Sequence, residues 1–300
     1  MMKQNKKHLL LSPSKESYEE KWGKTISYGS IALIGIVVIS IIIFLTGKGL
    51  ALFLKDHASI WEFLTSNNWN PSHNSFGALP MIVTSFVVTL LAGIIAAPFA
   101  LIIALAINEI FPKWFGKILQ PIIELLVGVP SVVYGFAGLI LITPVLRGFF
   151  GGSGFGILAA VVVLFMMILP TMVSMMVDSL RATPKNFRTA SYDLGATRWQ
   201  TLHMVVIPSA KGGLLTAIIF GMTRAFGEAL AVQMVIGNAA LMPKNLMSPA
   251  ATLTSVLTTG MGNTIMGTSA NDALWSLALV LLLMSLVFNI LIKLINKKRG

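Results

Sequence analysis

The sequence predicts an all-α integral membrane protein with six transmembrane helices. Three observations carry that prediction. The 300 residues are 55% hydrophobic and only 11% charged, with a mean hydropathy of +0.82, whereas an ordinary soluble domain is about 25% charged. The apolar residues gather into six runs, each long enough to cross roughly 30 Å of hydrocarbon, which takes about 20 residues of helix. The basic residues between those runs fall almost wholly on alternate loops. The same composition excludes intrinsic disorder, which needs few apolar and many charged residues. The absence of cysteine excludes disulfides, thiolate metal sites and cysteine nucleophiles. A net charge of +11 on a soluble protein would suggest nucleic-acid binding. On a membrane protein it records which loops stay in the cytoplasm, and no nucleic-acid partner is expected.

The first run, 25–47, carries no charge between Lys24 and Lys48, and its helical segment is taken to 54. It is too long for a signal-peptide core and no small-residue cleavage site follows it. An extracytoplasmic loop at 55–78 leads to the second run, within 79–107, bounded by Asn108 and Glu109. The third run is 125–146, between Glu124 and Arg147, and the fourth is 155–177, ending at Asp178. Between them Gly151, Gly152, Gly154 and Gly156 read as a re-entry turn, since no strand precedes them to make a phosphate-cradling loop. The fifth run, 213–236, contains two charges, and the sixth is 273–292.

Orientation follows from Lys and Arg. One side collects Lys3, Lys6, Lys7, Lys15, Lys21 and Lys24 at 1–24, then Lys113 and Lys117, then Arg181, Lys185, Arg188, Arg198 and Lys211, then Lys293 and the tail Lys297, Lys298 and Arg299 within 293–300. The other side holds only Lys48, Lys55, Arg147 and Lys244. Both termini are therefore expected in the cytoplasm, including the short tail at 297–300.

Two places carry chemistry. The first is the cytoplasmic loop at 181–210. Thr183 and Pro184 read as an N-cap followed by proline at the first helical position. Phe187, Ala190, Ser191 and Leu194 then share a helical face, Gly195 supplies a left-handed stop, and a second helical pattern from Thr197 to Val206 is closed by Pro208. A hairpin of two short helices is expected, either lying on the bilayer or docking a partner. The second place is the fifth run, with Arg224 near its midpoint and Glu228 four residues on. Intramembrane charges mark functional sites by default. On one continuous helix the two share a face, so they read either as a self-neutralising pair or as an anion site. Gly213, Ala217, Gly221 and Ala225 recur every four residues beside them, which lets another helix approach closely.

The stretch Ala190-Ser191-Tyr192-Asp193-Leu194-Gly195-Ala196-Thr197-Arg198-Trp199, ending in Val206-Ile207-Pro208, resembles the EAA loop of ABC importer permeases. Thr189 stands where that family has Glu, and Ser191 where it has its second Ala. Further stretches resemble the phosphate-specific permeases of the PstC type: Trp69-Asn70-Pro71 and Phe76-Gly77-Ala78-Leu79-Pro80; Gly128-Val129-Pro130-Ser131-Val132-Val133-Tyr134-Gly135; and Arg224 through Val232, running on to Asn238. The family's Gly-Thr after the span-two proline falls on Thr84 and Ser85.

The resemblance implies a type I ABC importer permease architecture with a core at 79–296 and a cytoplasmic coupling helix. It implies a bacterial plasma-membrane heterodimer with a second, PstA-type permease, two ATP-binding cassette subunits below and an extracytoplasmic phosphate-binding protein above. Substrate-path residues would be Arg224, Glu228, Ser85, Ser131, Tyr134 and Asn238. Contacts to the ATPase would come from Thr189, Ala190, Ser191, Leu194, Gly195, Ala196 and Pro208.

The chain has no GxxxxGK[ST] segment, so ATP hydrolysis is assigned to a partner and no cofactor is expected. His8, His57, His73 and His203 have no metal-ligand spacing. Two other readings stay open: a permease of this architecture for sulfate or molybdate, and a secondary transporter working without an ATPase.

Overall fold

A computed structural model describes residues 15–297, with side chains from 22 to 112 and 114 to 290. The basic residues expected at 1–14 and 298–300 lie outside the described residues. Six helical segments in the described part are long and apolar enough to cross a membrane.

Helix α1, Lys15–Gly49, stands as a unit to residue 48. Its apolar residues fall on every side of the helix, the pattern of a helix meeting lipid rather than of an amphipathic surface helix.

The second unit begins at Gly49. The segment 55–78, expected as a loop, is largely structured. After α2, Ala51–Leu54, comes α3, Ile60–Thr65, where the Ser59 hydroxyl caps the Glu62 amide. An antiparallel hairpin follows, β1 Trp69–Asn70 against β2 Ser75–Phe76, with Asn74 left-handed at its turn (φ +54°). These elements bury Leu52, Phe63, Ala78 and Met81 in a small apolar cluster with Leu253, Leu274 and Leu277.

The main core lies among three long helices. In α4, Leu79–Leu105, the fully buried Ala92, Ala96, Ala100 and Ala104 form a stripe of small residues. Along it packs α8, Ile157–Arg181, the most buried of the spans. Against both lies α11, Ile207–Phe226. The four-residue stripe read from the sequence is the contact. A Cβ at Gly213 would lie 2.6 Å from the Ser179 Cβ, and one at Gly221 2.4 Å from the Met172 methyl. Ala217 and Ala225 are buried between them. Gly213→Leu is expected to push these helices apart at a cost of about 1–3 kcal/mol, the usual range for overpacking. The check is the thermal midpoint of the purified protein, which should fall; an unchanged midpoint would show that the contact yields freely.

Several boundaries differ from the expected runs, each for a local reason. Span two does not stop at 107: α4 continues through a π-helical turn, Ala106–Ile110. Residues 125–146 are not one helix. Helix α5, Lys113–Gly128, ends before Pro130, because the residue preceding a proline is pushed out of helical backbone, and Val129 is extended (ψ 129°). Span three starts afresh as α6, Ser131–Ala137, and runs through a π-helical turn, Gly138–Ile142, into α7, Thr143–Phe150. Residues 151–156 form the re-entry turn, braced by the Arg147 guanidinium donating to the Ser153 carbonyl at 3.0 and 3.2 Å.

The hairpin after α8 is present. Its first helix is α9, Lys185–Asp193, and its second is α10, Arg198–Thr201. Thr183 does not cap α9: Pro184 holds the cap position, and the buried Thr183 hydroxyl has no partner. Pro208 does not close the second helix either. A π-helical turn, Leu202–Val206, carries α10 into α11. Wider i→i+5 bonding can accommodate a residue that lacks its own N–H, so span five starts at the hairpin itself.

Span five also breaks. After α11 the backbone leaves helical geometry at Gly227–Ala229 and resumes as α12, Leu230–Ile236. An irregular segment leads to α13, Leu253–Met261, and the chain closes with the last span, α14, Ser269–Lys297.

Candidate functional site: a broken helix and a clamped hairpin

The break in span five changes the meaning of its two charges. Arg224 sits in the last turn of α11 and Glu228 in the gap before α12, so they are not stacked on one helical face and no ion pair joins them. Each meets the helix end that suits it. A cation is favoured at a helix C-terminus and a carboxylate at an N-terminus, by about 0.3–1 kcal/mol each. The Glu228 carboxylate accepts from the Ala231 amide at 3.0 Å, capping the first turn of α12. The Arg224 Nη1 donates to the hydroxyl of Thr171 on α8. Both side chains are half-buried.

Neighbouring elements hold the break open. The Thr254 hydroxyl of α13 donates to the Glu228 carbonyl at 2.8 Å, and Thr258 one turn on donates to Gln233 Oε1 at 2.7 Å. The backbone group freed by the interruption is thus satisfied inside the protein, as a membrane interior demands. From the other side comes α6. A Cβ at Gly135 would lie 2.7 Å from the Ala231 Cα, so α6 and α12 touch backbone to backbone.

Of the residues expected along the path, Tyr134 is partly buried on α6, and its hydroxyl donates to the Leu126 carbonyl at 2.9 Å. Ser131 is three residues earlier, on the same face of α6. Asn238 is left-handed (φ +53°) just past α12 and donates to the Gln233 carbonyl at 2.9 Å. Ser85 is buried, and its hydroxyl accepts from the Leu253 amide at 2.9 Å, securing the start of α13 next to Thr254. Thr171, Gln233, Thr254 and Thr258 were not singled out in the sequence. A hydroxyl one residue after Pro170 in an apolar run was the available signal for Thr171.

The second constellation is the hairpin. Gly195 is left-handed (φ +81°). The Ala196 amide donates to the Ser191 carbonyl and the Gly195 amide to that of Tyr192, at 3.1 and 2.9 Å, the paired bonds of a Schellman helix end. Thr197 and Gln200 then form a capping box that starts α10. The Ser191 and Thr201 hydroxyls, 2.9 Å apart, tie the two arms together. Thr189 donates only to the Lys185 carbonyl, at 3.4 Å, and Ala190 is exposed. Leu194 is 88% and Trp199 69% exposed, so the hairpin presents two large apolar side chains.

Arg188, treated in the sequence only as a positive charge, anchors this hairpin. It pairs with Glu109 at 2.5 Å, at the end of span two, and donates to the carbonyls of Thr183 and Leu180 at 3.0 and 3.2 Å. Glu109, read only as a span boundary, is held further by Asn108 Nδ2 at 2.7 Å. One guanidinium thus joins the ends of spans two and four to the hairpin.

Six helical segments able to cross a membrane, the fifth of them broken and preceded by a projecting hairpin, define a polytopic membrane protein. Residues 96–300 match the model of binding-protein-dependent transport system inner membrane components, and the chain belongs to that family. It is 46% identical to the probable ABC transporter permease protein YqgH of Bacillus subtilis, over 97% of this chain and 95% of that one. To the phosphate transport system permease protein PstC of Pasteurella multocida it is 34% identical, over 80% and 82% of the two chains. The fold is shared with a chain of a bacterial alginate importer (TM-score 0.61, 14% identity, 93% of this chain and 99% of that one). It is shared also with one of the MetNI methionine transporter (TM-score 0.57, 18% identity, 72% and 93%). The protein is a multi-pass inner-membrane permease subunit of the ABC importer type, with the type I architecture.

Proposed function

We propose that this chain is one of two permeases of an ATP-driven inorganic phosphate importer. The observation that carries the reading is Arg224: a guanidinium at the interruption of a membrane span, oriented by a neutral hydroxyl and left without a carboxylate partner. A planar fork of donors suits a tetrahedral oxyanion. Glu228 keeps one carboxylate oxygen without a protein partner beside its bond to Ala231, a place for the proton that hydrogenphosphate carries and sulfate lacks. Tyr134, Ser131 and Asn238 are assigned to the path around that pair, and Ser85 to bracing α13. The likeness to PstC proteins supports the same substrate.

The second permease would be PstA-type, completing a polar interior that one subunit cannot close. Two ATP-binding cassette subunits would dock on the hairpin at 181–210, and a phosphate-binding protein on the opposite face. The distribution of Lys and Arg supports cytoplasmic termini. The test is uptake of labelled phosphate in cells lacking their own high-affinity system, with and without this chain and its partners. Uptake that depends on the chain and survives excess sulfate and molybdate is expected. Competition by either oxyanion would reassign the substrate, and uptake without any ATPase subunit would make this a secondary transporter.

Gly195 offers a check of the hairpin's role. Nothing lies within 4 Å of the position its Cβ would take, so Gly195→Val acts through left-handed backbone strain alone, about 1–2 kcal/mol. The variant is expected to insert normally but to retain less ATPase subunit on purification and to import less. Normal retention with normal uptake would remove the hairpin from coupling.

A further inference from the structure

A recess of about 780 Å³, ringed mostly by residues with polar or charged ends, opens on the basic face of the molecule, beside the Arg188–Glu109 clamp. Its floor and walls come from the end of span two (Ile107, Asn108, Glu109), from α5 (Gly116, Lys117, Gln120) and from the α8–α9 junction. That junction supplies Arg181, Lys185, Arg188 and Thr189. Four of these side chains are cationic. Arg188 is spent on Glu109, the only carboxylate in the lining, and Asn108 holds that carboxylate from the other side. Lys117, Arg181 and Lys185 are exposed and make no ion pair among the described residues. Glu124, further along α5, is engaged by Gln120 at 2.8 Å. The recess is therefore a concave site with a surplus of positive charge.

Two placements say what fits it. On α9, the lining residues Lys185, Arg188 and Thr189 lie on one side, while Phe187, Ala190 and Leu194 occupy the other by helical spacing. The recess thus faces away from the apolar surface that the hairpin offers to a protein. On α5, Trp114, Ile118, Ile122 and Leu125 form an apolar stripe at helical spacing, each from 47 to 74% exposed. Lys117 flanks that stripe. An amphipathic helix with an aromatic residue near one end and lysine beside its apolar face lies in a membrane interface.

We propose that the recess is a headgroup site for an anionic phospholipid, whose phosphodiester is held by Lys117, Arg181 and Lys185 while its acyl chains run along the α5 stripe. Basic pockets between spans at the cytoplasmic surface are the places where anionic headgroups bind. The proposal rests on the orientation inferred from Lys and Arg, and is independent of which solute the permease carries. A bound lipid would bridge α5, α8 and α9, the elements that Arg188 also ties together.

The test uses the full transporter complex, purified and examined by native mass spectrometry. Short-chain phosphatidylglycerol, short-chain phosphatidylcholine and inorganic phosphate are titrated separately. The variants are Lys117→Gln/Arg181→Gln/Lys185→Gln and the charge-keeping Lys117→Arg/Lys185→Arg; all three positions are exposed, which spares the fold. The wild type is expected to prefer phosphatidylglycerol over phosphatidylcholine by about tenfold or more. The glutamine variant should lose that preference and the arginine variant keep it. An unchanged preference in the glutamine variant would overturn the site. So would displacement of the lipid by an equal concentration of inorganic phosphate, which would make this a free-anion site. Loss of ATPase subunits from the glutamine variant, with lipid still bound, would assign the recess to a protein partner.

Discussion

Arg224→Gln is expected to abolish phosphate uptake in a complex that still assembles. The side chain is half-buried where α11 ends, and its nearest polar contact is the Thr171 hydroxyl rather than a carboxylate. Removing its charge therefore strands no buried anion, and assembly should persist. In the proposed importer, what would disappear is the set of charge-assisted bonds to the substrate, worth about 1.5–3 kcal/mol each. That corresponds to about 10–100-fold per bond in transport at limiting substrate. Glu228→Gln keeps an oxygen that can accept from the Ala231 amide, so α12 stays capped and uptake should weaken without vanishing. Because the two charges make no ion pair, the double variant Arg224→Gln/Glu228→Gln should be as inactive as Arg224→Gln. Thr171→Val, which removes one orienting hydrogen bond of about 0.5–1.5 kcal/mol, should reduce uptake by roughly tenfold or less. Labelled phosphate uptake, with the amount of assembled complex measured in each strain, decides. Recovery of uptake in the double variant would make the pair a structural neutralisation and end the anion-site reading.

The sequence alone places Arg224 and Glu228 on one continuous helix, where they could pair. The six spans were legible because hydrocarbon thickness sets a length that few other structures require. The four-residue stripe at Gly213 was legible because close helix approach needs small side chains at helical spacing. The break at Gly227 was not, since one glycine in an apolar run is compatible with an unbroken membrane helix. What stabilises the break lies far along the chain, in Thr254 and Thr258. Pro208 misled for the opposite reason: a proline that reads locally as a stop is carried by the π-helical turn before it. Pro130 behaved as its local chemistry dictates, and residues 125–146 were merged only because hydropathy does not register a break in backbone angle. Gly195 was readable because its role is local; Arg188 was not, because its meaning depends on Glu109, 79 residues away.

Arg188→Gln is expected to separate ATP hydrolysis from transport. In the proposed importer, motion of the ATPase subunits reaches the spans through the hairpin, and Arg188 is where the hairpin grips them. Its guanidinium makes bonds to Glu109 and to the carbonyls of Leu180 and Thr183, which a glutamine cannot reproduce together. Side chains on both sides of the pair are about 18% exposed (18% and 17%), so loss of the charge costs less than at a fully buried pair, about 1–3 kcal/mol. The bundle should tolerate that loss, since its main core lies among α4, α8 and α11. The hairpin should instead move without carrying span two and span four along. Uptake is then expected to fall several-fold more than ATPase activity in the same purified complex. Arg188→Lys should be intermediate, because an ammonium keeps the charge but lacks the planar fork that spans three acceptors. The exchange Glu109→Arg/Arg188→Glu should restore part of the coupling by re-forming the pair, and only part, because a glutamate at 188 cannot donate to the two carbonyls. A transport-to-hydrolysis ratio in Arg188→Gln equal to that of the wild type would show that the clamp only holds the fold, and that coupling passes through other contacts of the hairpin.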